Sequence, residues 1–203
     1  MAAQATWIGR PDEGLTRAEE GLVCADRLSE TVQAMLHTDR GRALAKMRRV
    51  EETLTALGTA EDHFARSALT NDPPVLANYN AAFLAGNTGA ALFDLVMLGH
   101  SLTQATDRLT TATAEHTAVS RQANPLIKLA SLTMATGDSL QAAAIGHSAV
   151  DLAGKIRSRR TTEQRRTTEQ LRELSGYAAA HQHLDEVAYL RHRIATLVCT
   201  DRA

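Results

Sequence analysis

The stretch Leu126-Ile127-Lys128-Leu129-Ala130-Ser131-Leu132-Thr133-Met134-Ala135-Thr136-Gly137-Asp138-Ser139-Leu140-Gln141-Ala142-Ala143 decides how the rest of the chain is read. Before the glycine, Leu126, Leu129, Ala130 and Met134 recur at helical spacing and mark one apolar face. Gly137 can take the backbone conformation that ends a helix, while Asp138 and Ser139 offer oxygens to the free N–H groups of a new one. The stretch is therefore a helix, a tight turn and a second helix.

The same pattern returns at Gly9-Arg10-Pro11-Asp12-Glu13-Gly14-Leu15, Arg48-Arg49-Val50-Glu51-Glu52-Thr53-Leu54 and Gly86-Asn87-Thr88-Gly89-Ala90-Ala91-Leu92. In each copy a small residue (Gly14, Thr53, Ala91, Ala142) stands where a neighbouring helix has to come close. A degenerate copy is expected at Gly99-His100-Ser101-Leu102-Thr103-Gln104-Ala105. Further breaks at Leu28-Ser29, Asn71-Asp72-Pro73-Pro74 and Gly176 divide the chain into about ten or eleven short helices. No stretch alternates strictly between apolar and polar residues, so strands are not expected.

Composition agrees. Hydrophobic residues make up 44% of the chain and aromatic ones only 3%, a balance that suits helices packed through small side chains. Lys and Arg number 22 against 23 Asp and Glu; a net charge of -1 provides no field for nucleic acid or an anionic membrane surface. Neither a basic-then-apolar leader at Met1–Trp7 nor an apolar run long enough to span a bilayer is evident, which predicts a cytoplasmic protein. Cys24 and Cys199 form no metal-binding spacing and read as small buried apolar residues. Trp7, Phe64, Phe83, Phe93, Tyr177 and Tyr189 read as packing residues between helices.

The repeats look like tetratricopeptides, although the copies are spaced by about 38 to 51 residues, longer than the ~34 of the ideal repeat. The fold expected is an all-α, tetratricopeptide-like right-handed superhelix of paired antiparallel helices, one domain over residues 1–203. Asn78-Tyr79-Asn80-Ala81-Ala82-Phe83-Leu84-Ala85-Gly86-Asn87-Thr88-Gly89-Ala90-Ala91-Leu92-Phe93-Asp94-Leu95, with residues 128–138 and Leu171-Arg172-Glu173-Leu174, resembles the C-terminal repeat domain of actinobacterial helix-turn-helix regulators of the XRE (Cro/repressor-like) family. The resemblance implies a transcriptional regulator in which one domain reads DNA and the repeat domain senses a ligand, binds a partner or dimerises. The chain opens on residues that already read as the first helix of a repeat, so it is expected not to bind an operator by itself.

In such a stack the first helix of each pair lines the concave face. That places Thr38, Arg42 and Lys46 on one stripe, Tyr79 and Asn80 on the next comparable helix, and Lys128 and Ser131 on a later one. The cations in this set suit a carboxylate or phosphate, so the expected occupant is a peptide, a small effector or a protein partner. His181 and His183 beside Asp185 and Glu186 supply only part of a coordination shell, so no metal and no cofactor are expected. The absence of strands removes the usual setting for a nucleophile elbow or phosphate loop, and no catalytic residues are expected.

Arg159-Arg160-Thr161-Thr162-Glu163-Gln164 is followed at once by Arg165-Arg166-Thr167-Thr168-Glu169-Gln170, a tandem hexapeptide. Six residues turn a helix by about 240°, so the two copies cannot offer the same side to a core. Either a bulged linker near Arg157-Ser158 or one continuous long helix follows. In the second case Arg159, Arg160, Glu163, Arg165, Arg166 and Glu169 form a hinge from which the C-terminal helices exchange between protomers of a homodimer.

Overall fold

The computed structural model describes residues 2–67, 76, 78–100, 102–115, 119–155 and 161–200. Among them are ten α-helices and no strand: α1 (Ala2–Trp7), α2 (Pro11–Leu22), α3 (Glu30–Lys46), α4 (Val50–Arg66), α5 (Ala81–Val96), α6 (Leu102–Glu115), α7 (Val119–Thr136), α8 (Ser139–Lys155), α9 (Thr161–Ala178) and α10 (Asp185–Thr200). Single 3-10 turns at Ala25–Arg27 and Ala179–His181 follow α2 and α9. No helix among the described residues is long and apolar enough to cross a membrane.

Three of the tight turns share one backbone device. Gly9, Arg48 and Gly99 have φ of 83°, 61° and 91°. In each case the next N–H returns five residues back: Arg10 to Ala5 O, Arg49 to Leu44 O and His100 to Leu95 O, at 3.0, 3.0 and 3.2 Å. This closure satisfies carbonyls that the helix end leaves open and reverses the chain within a few residues. Gly137, at φ 107°, separates α7 from α8. The new helices are started by side chains: Ser29 accepts from Val32 N, Asn80 from Phe83 N and Asp138 from Gln141 N.

Packing divides the chain into two compact units, Met1–Arg108 and Leu109–Ala203. In the first, α3 and α4 form a hairpin, α1 and α2 lie on α3, and α5 packs along α3. Leu15, Ala43, Leu44 and Ala56 fill one part of its core, and Ala34, Ala60, Tyr79 and Leu84 another. In the second, α7 and α8 form the hairpin, α9 packs on α7, and α10 packs on α8 and α9. Ile127, Met134, Leu171, Leu174, Leu190 and Ile194 form the centre of that core.

Small residues set the helix spacing, as the repeats suggest. A Cβ on Gly14 would lie 2.1 Å from Thr6 Oγ1 and 3.0 Å from the Ala2 carbonyl, so α1 touches α2 backbone to backbone. Thr53, Ala91 and Ala142 are likewise buried.

Four expectations are corrected. Gly86-Asn87 is no turn: it lies inside α5, which starts at the Asn80 cap, and the Asn87 side chain donates its Nδ2–H to Phe83 O at 2.8 Å within that helix. Gly176 lies inside α9, ahead of the 3-10 turn. Both cysteines are exposed, because α10 turns Val187, Leu190 and Ile194 to the core and Cys199 away from it, while Cys24 sits just beyond the end of α2. Tyr189 is 57% exposed, on the side of α10 away from that core, while Phe93 is fully buried as expected. The Asn71-Asp72-Pro73-Pro74 break lies outside the described residues.

Candidate functional site

The polar stripe of α3 faces α5. Thr38, Arg42 and Lys46 stand four residues apart on successive turns, which puts them on one face. Each meets a residue more than forty positions later in the chain. Thr38 Oγ1 is 2.8 Å from Tyr79 OH, Arg42 NH1 donates to Asn87 Oδ1 at 2.6 Å, and Lys46 Nζ reaches Asp94 Oδ1 at 2.7 Å. Asn80 is the N-cap of α5, and Tyr79 precedes it in a buried position rather than on a helix.

Arg42 is the unusual member. It is only 7% exposed, yet among the described residues its hydrogen bond goes to a neutral amide oxygen. The Trp7 ring lies over the guanidinium, 5.5 Å from its carbon to the ring centroid, a cation–π contact worth about 2 kcal/mol where water is excluded. Burial pushes the Arg42 pKa down, and the carboxylates of Asp39 and Asp94 oppose that shift. Burial likewise pushes the Asp39 carboxyl up, against the pull of Arg42. Burial also raises the Tyr79 phenol, so it stays a neutral partner for Thr38. Lys46, with its side chain 41% exposed, is the end of the stripe that water reaches.

Lys128 and Ser131 belong to the second unit. Lys128 Nζ pairs with Glu173 Oε2 on α9 at 2.7 Å, and Ser131 is buried and donates to Ile127 O. Both units thus use the same device, a polar side chain from the first helix of the α3–α4 or α7–α8 hairpin bonded to a later helix, α5 or α9. Thr167 Oγ1, bonded to Asn124 Oδ1 at 3.0 Å, is a second instance on α7 and α9.

Of the expected hinge, Arg159, Arg160 and the side chain of Glu163 lie outside the described residues. The second hexapeptide runs within α9, in one helix with the first copy from Thr161 onward, while Arg157-Ser158, where the two alternatives diverge, lies outside the described residues. Arg165 and Glu169 pair on its solvent side at 3.0 Å, and Thr167 and Gln170 turn inward. Arg166 is half-buried.

Sequence reasoning missed three features. Asp39, Asn87 and Asp94 complete the stripe; the signal was an amide and a carboxylate inside the otherwise apolar run of α5. His37 and His63 stack face to face across α3 and α4, centroids 5.4 Å apart, with His63 Nδ1 2.6 Å from Glu30 Oε2 and Arg66 Nε 3.3 Å from the same oxygen. On the second unit, α8 and α10 touch at Gly146 and Leu190 and leave an open groove of about 480 Å³ further along, lined by Asp151, Gly154, Tyr189, His192 and Arg193. Arg193 bonds both Asp151 and His147 there. Among the described residues no group of three or more His, Cys, Asp or Glu side chains is placed to hold a metal ion. Compared with known proteins, the chain matches no family model, no curated protein and no solved structure.

Proposed function

We propose that the chain is a non-catalytic interaction module, of the kind found as the ligand-sensing half of an XRE-type regulator, and that it binds a peptide, small effector or protein partner on the α1–α3–α5 face. The observation that carries this is Arg42: a buried cation bonded to a neutral amide, covered by one aromatic ring, on a stripe whose Lys46 end is open to water. Such a group holds a donor fork ready for an acceptor that a partner supplies. Tetratricopeptide-like stacking of the hairpins and a cytoplasmic setting belong to the same proposal.

Trp7 is the only tryptophan in the chain and lies on Arg42, so its emission reports on the face directly. Titration with a panel of short acidic and aromatic peptides is expected to give a saturable change in Trp7 emission that is weakened in Arg42→Met and Lys46→Ala. No saturable change with any peptide, or a change indifferent to both substitutions, would contradict the proposal.

A second reading is a homo-oligomerisation scaffold whose C-terminal helices pair or exchange between two copies. It is favoured by α9 running unbroken through the second hexapeptide and by exposed, uncharged Ala188, Ala195 and Cys199 on α10. Deleting Arg165–Gln170 should then halve the mass seen by light scattering; an unchanged mass would remove this alternative.

A further inference from the structure

α1 has six residues, too few to hold a helix alone in water, so its helical state comes from where it is docked. Its contacts form a compact recognition set. Ala2, Ala5 and Thr6 are buried, the first and last of them meeting α2 at Gly14, and Trp7 covers Arg42. Immediately beyond, Gly9 at φ 83° and Pro11 at the start of α2 make the tight turn that joins this segment to α2.

We infer that α1 is the resident occupant of a peptide-binding site on α2 and α3, and that the site accepts in its place a partner helix of the same chemistry. That chemistry is two small residues three apart, a further small residue, and then an aromatic ring to stack on Arg42. This rests on the interaction-module reading and names its partner class. The surface left when α1 lifts is specific: a glycine floor at Gly14 that admits only small side chains, and a guanidinium at Arg42 that needs a π face. Tethering gives α1 an effective concentration on the order of millimolar, so a partner must bind the vacated site more tightly than that to compete.

The full chain carrying Trp7→Ala has no tryptophan, so the single tryptophan of an added synthetic peptide spanning Ala2–Arg10 becomes the only reporter. Its anisotropy should rise saturably with chain concentration, and affinity should fall about tenfold or more when the chain also carries Arg42→Met. Adding Ala5→Asp to the Trp7→Ala chain unseats what remains of α1 and should tighten peptide binding. Circular dichroism checks that each variant is folded, and a measurement on the unmodified chain needs no variant: excess peptide with Phe in place of its Trp should shift Trp7 emission to the red as α1 is displaced. The inference is overturned by an absence of saturable binding at millimolar peptide in both formats, or by binding indifferent to Arg42. A doubled chain mass with no response to peptide also overturns it, in favour of α1 exchange between two copies. If this peptide fails while the acidic panel still titrates Trp7, the inference falls and the binding face on α3 stands.

Discussion

The first unit holds two polar clusters along α3, and they differ in what titrates. Around Arg42 the titrating group is a carboxyl, Asp39, which burial pushes up. Around His37 the charge depends on pH. Burial, then the neighbouring His63 and Arg40, push the His37 pKa below the ordinary 6.5. A histidine with a depressed folded pKa stabilises the fold above its unfolded value, and that contribution is lost as pH falls from about 6.5 through the folded value. Glu30, lowered chiefly by its hydrogen bond to His63, adds a loss in the same direction at lower pH. Urea midpoints should therefore drop between pH 7.5 and 5, and by less in His37→Gln. A midpoint that rises on acidification, or an equal drop in the variant, would show that the stacked pair is not the group responsible.

At the scale of elements, the turns carry the clearest energetic prediction. Arg48 occupies the left-handed position that Gly9 and Gly99 fill at equivalent turns, and a non-glycine residue pays about 1 kcal/mol there. Arg48→Gly should stabilise the chain by about that amount, read as a raised urea midpoint with unchanged slope; a lowered midpoint would mean that the Arg48 side chain contributes more than its backbone costs. The turns were legible in the sequence because their signals are local: a glycine or its stand-in, then a proline or capping residue. Gly86-Asn87 misled for the same reason. Its local chemistry is that of a turn, but Asn87 bonds back to Phe83 within its own helix and outward to Arg42, forty-five residues away, and no short window of sequence contains the second partner.

For the molecule as a whole, helix content follows from apolar spacing together with the local turn signals. Which helix faces which does not. Thr38, Arg42 and Lys46 could be grouped from their spacing alone, yet their bonds to Tyr79, Asn87 and Asp94 depend on α5 lying along α3. The role of Trp7 depends on α1 folding back over Arg42. Lys128 has a comparable place on the first helix of its own hairpin, but it belongs to the other compact unit and pairs with Glu173 there. The α8–α10 groove left no sequence signal, because it arises where two helices diverge past the Gly146–Leu190 contact.

The most direct measurement of the central claim is residue-resolved: amide chemical shifts of the isotope-labelled full chain, recorded while the tightest peptide from the panel is added. Shifts concentrated at Trp7, Asp39–Lys46 and Asn87–Asp94, and lost in Arg42→Met, are the result expected. Shifts confined to Asp151, Tyr189 and Arg193, or no shift with any peptide, would contradict the assignment of the binding face to α3.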